Sequence, residues 1–253
     1  MTTSGATRTS SFVWRGCCRA LAAIRQGGVG VAALLYPAEC VHCGAPVAWD
    51  RVVCAPCAER LPRVASPACV QCGEPLASES LDLCLRCGTR VRSFERALAL
   101  GPYEEGWRDL LHAFKFGREK AVGRWLAREL CARFAAAGED PVVCITHVPM
   151  TRSEERARGF NPSRFLARVA ARQLQLPERR LLAKVRTTPP QRALSARERE
   201  TNLSGAFRAI RSGKGAVLLV DDLLTTGATA DECARTLKGA GFDRVTVLTV
   251  ARA

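Results

Sequence analysis

The chain has 253 residues, of which 47% are hydrophobic and 25% charged, a composition typical of a globular protein with one large domain or two smaller ones. Lys and Arg number 38 against 24 Asp and Glu, and the net charge of +14 indicates anionic partners such as nucleic acid, phosphorylated small molecules or a membrane surface. Because no secretory signal and no apolar run of about 18 residues is found, we expect neither a secreted disulfide scaffold nor stable membrane insertion. The predicted location is the cytoplasm, where the 13 cysteines would be metal ligands or buried thiols.

Residues 1–36 are predicted to form an N-terminal tail and a basic amphipathic helix. Apolar Trp14 and Leu21 lie among Arg15 and Arg19. This pattern is typical of a helix that packs on the rest of the protein or of one that lies on a membrane surface, and the first reading is favoured.

Residues 37–90 contain two copies of a cysteine motif. CVHCGAP begins at residue 40 and CVQCGEP at residue 69, and a second CxxC pair follows each copy. Four thiolates per copy suit a closed tetrahedral zinc site with Zn–S distances of about 2.3 Å. We therefore predict a small double zinc ribbon domain with two structural zinc ions, an iron–sulfur cluster being the less favoured alternative. The predicted ligands are Cys40, Cys43, Cys54, Cys57, Cys69, Cys72, Cys84 and Cys87.

The details of each cysteine knuckle follow from the repeat. Pairing within each copy is predicted, although a cross-braced arrangement would use the same residues. The glycines that follow Cys43, Cys72 and Cys87 are predicted to adopt positive φ in the tight turn. Because the second copy has Gln71 where the first has His42, we do not expect His42 to be a ligand.

The composition of residues 94–253 predicts an α/β domain. Continuous apolar runs are typical of strands covered on both faces of a parallel sheet, and strand–helix–strand order implies right-handed crossovers. Strands are predicted at residues 97–100, 142–145, 216–220 and 245–250, and helices at residues 107–116 and 123–137, from Pro162 onward and after residue 229. Ligands of such sheets bind beyond the carboxyl ends of the strands.

The stretch VLLVDDLLTTGAT, residues 217–229, is the candidate functional motif. An apolar strand is predicted to end in Asp221 and Asp222, and a turn of threonines and glycine leads into the next helix. N–H groups at a helix start and threonine hydroxyls bind phosphate, whereas paired carboxylates suit a sugar diol or hydrated Mg²⁺. A sugar phosphate meets both requirements.

Basic loops surround this motif in the sequence. Residues 151–200 hold 13 Arg and Lys against 5 Glu, a net charge of +8. More than half of the excess positive charge is therefore expected near the anionic ligand.

These motifs together carry a family resemblance. VDDLLTTGAT resembles the 5-phosphoribosyl 1-diphosphate (PRPP) motif of type I phosphoribosyltransferases. With the cysteine repeats, the RARGFN segment that ends at Asn161 and the TPPQ loop that ends at Gln191, the chain resembles the ComF family from about Pro37 to Arg252. Members of that family combine a double zinc ribbon with a type I phosphoribosyltransferase-like fold.

The resemblance implies a PRPP-dependent glycosyltransferase that uses Mg²⁺ and is linked to competence and DNA uptake. Two alternatives stay open, a PRPP sensor without turnover and a single-stranded DNA-binding protein of transformation. Competence-machinery proteins are implied as further partners. The sequence does not identify the acceptor substrate.

The resemblance also implies roles for individual residues. Asp221 and Asp222 would hold the ribose hydroxyls and, with Arg156 and Arg158, form the catalytic set. The implied contacts of the 5-phosphate are Thr225, Thr226, Gly227, Ala228 and Thr229. The remaining implied PRPP contacts are Lys115, Pro149, Met150 and Arg152, with Gln191 and Arg197 from a closing lid over residues 187–202.

Two positions depart from the patterns that these families show. Pro162 follows RGFN where the ComF family usually has glutamine, so a side-chain hydrogen bond is absent there. Thr225 occupies the turn position that is acidic in the 6-oxopurine transferases, so a proton-accepting carboxylate is missing from the turn.

Overall fold

The computed structural model describes residues 38–186 and 203–253. The N-terminal helix predicted within residues 1–36, and the lid residues Gln191 and Arg197, lie outside the described residues. The described chain begins with a cysteine-rich unit and continues into an α/β unit that contains a parallel sheet.

The cysteine-rich unit has little regular structure. Its elements are β1 (Ala38–Glu39), β2 (Pro46–Val47), α1 (Ala55–Arg60) and α2 (Leu85–Gly88). β1 and β2 pair antiparallel, and each short helix begins directly after a cysteine, Cys54 or Cys84. Gly44 and Gly73 have φ of +73° and +72°, as predicted, but the prediction for Gly88 is wrong because that glycine continues α2.

The α/β unit is built around a four-stranded sheet. Its strands are β3 (Arg96–Pro102), β4 (Cys144–His147), β5 (Leu182–Lys184), β6 (Phe207–Ala209), β7 (Ala216–Leu224) and β8 (Arg244–Arg252). Its helices are α3 (Trp107–Lys115), α4 (Lys120–Ala136), α5 (Arg152–Arg158), α6 (Pro162–Gln173) and α7 (Ala228–Gly239). The sheet order is β3–β8–β7–β4 with every pairing parallel, whereas β5 and β6 form a separate antiparallel pair. The predicted parallel sheet flanked by helices is thereby confirmed.

Helices cover both faces of the sheet. Alternate residues of β7 point to opposite sides, so Leu218 packs in one core with Leu126 of α4 and Leu166 of α6, whereas Val217 packs in another with Leu237 of α7. All of these side chains are fully buried. Burial on both faces explains why the strands are uniformly apolar in sequence.

All four strands of the sheet differ in extent from the sequence prediction: β3 and β8 extend one residue earlier and two residues later than predicted, and β4 and β7 differ more. β4 begins at Cys144 rather than at residue 142, and Val143 is 49% exposed, because the parallel pairing with β7 starts only at Cys144. β7 does not end before the acidic pair but continues to Leu224. The ladder with β8 persists there, with Asp221 opposite Thr249.

Both outer strands of the sheet are bonded along their free edges. On β3, the Ala97 N–H donates to the carbonyl of Gln71 in the second cysteine repeat, 2.7 Å away. On β4, Ile145 donates to the Pro177 carbonyl at 3.0 Å and accepts from the Arg179 N–H at 2.9 Å. The cysteine-rich unit is thus attached to the sheet by backbone hydrogen bonding.

Among the described residues, we find no helix with the length and apolar character that crossing a membrane requires.

Candidate functional site

The eight predicted cysteine ligands lie in two groups of four, one in each repeat. Within each group the sulfur atoms all lie within 4.8 Å of one another. The Sγ atoms of Cys43 and Cys54 are 3.7 Å apart, and those of Cys72 and Cys84 are 3.6 Å apart. Four sulfurs around one zinc ion would be separated by about 3.8 Å. The two sites therefore fit two structural zinc ions, and the ligands pair within each repeat rather than across repeats.

The thiols of the first group differ in how easily they ionise. Burial raises the pKa of Cys40, but hydrogen bonds from backbone N–H groups outweigh burial and bring the pKa down to about 6. The pKa of Cys57 rises to about 12 because its thiol hydrogen-bonds with Cys54 and Cys43. These thiols compete for one negative charge, and a divalent cation removes the competition by stabilising every thiolate.

A cavity of about 760 Å³ opens at the carboxyl ends of β4 and β7. It lies where ligands of open parallel sheets bind. Its lining holds four cationic side chains, from Lys115, Arg118, Arg158 and Lys184, and three carboxyl side chains, from Glu154, Asp221 and Asp222. Such a lining suits an anionic ligand that also presents hydroxyl groups or a metal ion.

Asp221 is the buried member of the acidic pair. Its Oδ1 accepts hydrogen bonds from the Ser163 hydroxyl at 3.1 Å and from the Asp222 N–H at 2.8 Å. Burial raises the pKa of Asp221 to about 7, and the charge of Asp222 adds to this effect. In the absence of a further cation or hydroxyl donor, this carboxyl group therefore holds its proton up to about neutral pH.

Asp222 is paired with the lysine that ends α3. Nζ of Lys115 lies 3.1 Å from Oδ2 of Asp222, and both side chains are largely buried. Lys115 follows Phe114, which packs in the core and anchors the helix end beside β7. The structure thus brings the implied PRPP contact Lys115 directly onto the acidic pair.

The threonine turn forms the start of α7. Gly227 is the N-cap with φ of +77°, a left-handed conformation that favours glycine. The Thr226 hydroxyl accepts a hydrogen bond from the Ala228 N–H at 3.3 Å. Thr229 borders the cavity, whereas Thr225, Thr226, Gly227 and Ala228 lie in the turn beside it without lining it.

The loop after β4 supplies further cavity residues. Pro149 and Met150 line the cavity, and α5 begins next to them with a capping box in which Thr151 and Glu154 bond reciprocally. Asn161 caps α6 and donates from Nδ2 to the Val148 carbonyl at 3.2 Å, which ties this loop to the next helix.

The arginines of α5 divide into two groups. Arg158 lines the cavity, and its guanidinium lies 5.7 Å from the ring centre of Phe116. Arg152 and Arg156 are exposed on α5 and do not line the cavity. A role for these two side chains therefore stays a prediction.

Four polar cavity residues were not singled out from the sequence: Arg118, Glu154, Ser163 and Lys184. Ser163 bonds Asp221 from α6, and Lys184 on β5 pairs with Glu154 at 2.6 Å. Burial raises the pKa of Glu154, but the hydrogen bond from Lys184 outweighs it and the net shift is downward. Glu154 carries a sequence signal, the TxxE capping box, but Ser163 and Lys184 belong to no motif.

The architecture defines the class of the protein: a double zinc ribbon joined to a parallel α/β unit with an acidic pair and a threonine turn at its strand ends. Residues 31–93 match the double zinc ribbon domain family. Competence protein F of Haemophilus influenzae is 31% identical over 170 residues, which cover 64% of this chain and 74% of that protein. The chain belongs to the ComF family of competence protein F.

Other curated relatives are similar to this chain as well. DNA utilization protein YhgH of Salmonella typhimurium is 33% identical over 219 residues, which cover 84% of this chain and 83% of that protein. YhgH of Escherichia coli is 31% identical over 165 residues.

One solved structure, the allosteric regulatory enzyme of purine biosynthesis, matches with a TM-score of 0.32 and 20% identity. The match covers 51% of this chain and 26% of that one, a similarity too low to support an inference about function.

Proposed function

We propose that the cavity binds PRPP together with Mg²⁺ and that the protein is a phosphoribosyltransferase. The observation that carries the proposal is the contiguous placement of Asp221, Asp222 and the threonine turn at a cavity whose lining also holds four cationic side chains. The acidic pair suits the two ribose hydroxyls, and the start of α7 suits the 5-phosphate. The basic lining suits the diphosphate.

Each part of the site would act on a different part of the ligand. Ionised Asp221 and Asp222 would accept hydrogen bonds from the sugar hydroxyls, and Ser163 holds Asp221 in place for this contact. Arg158 and Lys184 would balance the charge of the departing diphosphate, and a bound Mg²⁺ would add Lewis-acid stabilisation to the same group. The acidic pair supplies the carboxylate oxygens that Mg²⁺ prefers.

The biological role that we propose follows from the family. Competence and DNA utilization, the words in the names of the relatives, support a role for this chain in the handling of DNA. We propose that PRPP binding serves that process, either through transfer to an acceptor or as a sensing signal. Diphosphate release in the presence of candidate acceptors distinguishes these two modes.

Calorimetric titration of PRPP into the zinc-loaded protein tests the proposal. We expect binding at one site per chain, with an affinity that falls when Mg²⁺ is withheld, because the acidic pair and the diphosphate both need the cation. Ribose 5-phosphate, which lacks the diphosphate, should bind more weakly. Absence of a binding isotherm for PRPP with Mg²⁺ would end the proposal.

Exposed arginines on and after α6 favour a second candidate function, binding of single-stranded DNA. Arg168 and Arg172 lie one turn apart on α6, and Arg179 follows that helix; all three are exposed. In the described part of the chain, none of them has a carboxylate partner within ion-pairing distance. Phosphates of a nucleic acid strand would supply that partner.

Salt dependence tests this second function. The double variant Arg168→Gln/Arg172→Gln should reduce the slope of log affinity against log salt for single-stranded DNA by about 1.4, because two phosphate contacts are lost. Fluorescence anisotropy with a labelled oligonucleotide measures the slope. Equal slopes for the variant and the wild-type protein would exclude this face as the DNA contact.

A further inference from the structure

Arg92 lies between the second cysteine repeat and the threonine turn. It follows the last ligand of that repeat, Cys87, by five residues, and its side chain is only 3% exposed. The neighbouring Phe94 carbonyl accepts a hydrogen bond from Nε2 of Gln71 at 3.3 Å, so the ribbon holds this segment in place. Burial of a permanently charged guanidinium is costly unless its donors are used.

On one side, the guanidinium supports the turn. Nη2 of Arg92 donates to the Thr226 carbonyl at 3.0 Å. Nη1 lies 3.9 Å from Oδ2 of Asp231 in the first turns of α7. The Oδ1 atom of Asp231 accepts from the Ser93 N–H at 2.6 Å, so two consecutive residues of this segment engage the start of α7.

Gly227 packs against the same guanidinium. A Cβ atom added at Gly227 would lie 3.6 Å from Nη1 of Arg92, so Arg92 occupies the space beside the N-cap of α7. The φ of +77° at Gly227 sets the direction of the following N–H groups, which are the ones that would bind phosphate. Arg92 therefore fixes the conformation of the turn without lining the cavity itself.

On the other side, two donors of Arg92 are unused. Nε and Nη1 are buried and have no hydrogen-bond partner in the part of the chain that the structure describes. On this side the Arg92 side chain interacts with the sulfur of Cys87, a predicted ligand of the second ribbon. A zinc-bound thiolate at Cys87 would offer these donors a hydrogen-bond acceptor.

We propose that Arg92 is a positioning residue that couples zinc binding in the second ribbon to the conformation of the phosphate-binding turn. With zinc bound, the Cys87 thiolate and the Thr226 carbonyl hold the guanidinium from two sides, and the turn keeps its left-handed Gly227. The inference rests on the proposed PRPP site for the identity of the ligand, but not for the coupling itself. By linkage, a ligand in the turn also stabilises zinc in the second ribbon.

Arg92→Met tests the coupling, with Arg63→Met as its matched control. Arg63 follows the first ribbon as Arg92 follows the second, so the two match in residue type and in position after a repeat. Arg63 is exposed and pairs with Glu129, so it does not contact the turn. We expect Arg92→Met to release one of its two zinc ions to a chromogenic chelator about tenfold faster, because a charge-assisted hydrogen bond is lost. PRPP affinity should fall by a similar factor, and Arg63→Met should change neither.

Hydrogen exchange of the turn gives a readout that does not need PRPP. Amides of residues 225–231 should exchange faster in Arg92→Met and in Cys84→Ser, which removes a ligand of the second ribbon. Cys54→Ser, the equivalent change in the first ribbon, should leave these amides unchanged. These cysteine variants keep the coupling testable where Arg92→Met fails to fold.

The outcomes separate the coupling from the proposed function. Unchanged exchange of the turn in Cys84→Ser, or unchanged zinc release in Arg92→Met, would overturn the coupling even where PRPP binds. If Cys84→Ser shows faster exchange and Arg92→Met faster zinc release but the wild-type protein does not bind PRPP, the coupling is supported and only the assignment of PRPP as the ligand is excluded.

Discussion

The Asp222→Asn variant is expected to bind PRPP with Mg²⁺ about 100-fold more weakly than the wild-type protein. The carboxylate would accept charge-assisted hydrogen bonds from the ribose, each worth about 1.5–3 kcal/mol, and a loss of about 2.7 kcal/mol corresponds to this factor. Removing it also deprives Lys115, 3.1 Å away, of its partner. Isothermal titration at constant Mg²⁺ and ionic strength measures the effect.

Whether PRPP affinity falls or rises in Asp222→Asn distinguishes a direct contact with the ligand from a general effect of charge. If Asp222 did not touch the ligand, removing a negative charge would strengthen the binding of an anion such as PRPP. Asp243→Asn is the matched control, because Asp243 bonds Gly215 at 2.7 Å at the opposite end of the same two strands. Tighter binding by Asp222→Asn, or equal weakening in both variants, would contradict the proposed contact.

The Asp221→Asn variant is expected to be more stable than the wild-type protein at pH 8, by up to about 4 kcal/mol in the free energy of unfolding. The pKa of Asp221 is raised by burial from 3.8 to about 7 in the folded protein. The folded state therefore binds this proton more tightly than the unfolded state, so wild-type stability falls as pH rises from about 4 to 7. Urea unfolding at pH 5 and pH 8 measures the difference.

Ser163→Ala is expected to have the opposite effect on stability at pH 8, because it removes a group that stabilises the Asp221 carboxylate. The Ser163 hydroxyl donates to Asp221 and favours its ionised form, so its loss should lower stability at pH 8 rather than raise it. Asp221→Asn should at the same time lose PRPP affinity, a trade of stability against function. If Asp221→Asn changes the free energy of unfolding by the same amount at both pH values, ionisation of Asp221 does not destabilise the folded protein.

The parts of the site that lie in contiguous motifs were predictable from sequence. Two CxxC pairs per repeat indicated both cysteine groups, because metal geometry restricts the spacing of ligands along the chain. The motif over residues 221–229 indicated that carboxylates, hydroxyls and a glycine lie together near the end of one strand. Lys115, a PRPP contact implied by the family resemblance, pairs with Asp222 of the acidic pair.

Residues that reach the site from distant segments were not predictable. Ser163 and Asp221 are 58 residues apart, and Arg92 and Thr226 are separated by 134 residues. Contacts of this kind depend on how helices and loops pack on the sheet, which one sequence does not reveal. Strand limits were missed for a related reason: apolar character predicts burial, whereas the end of a strand depends on its neighbour, as β4 and β7 show.

The hydrogen bonds on the free edges of β3 and β4 restrict how this protein can associate with others. At Ala97 and Ile145 the backbone groups that an incoming strand would need are already engaged, by Gln71 on one side and by Pro177 and Arg179 on the other. Such protection disfavours sheet extension between molecules, a common route to aggregation. Partners that dock at these margins must therefore recognise side chains and loops rather than add a strand.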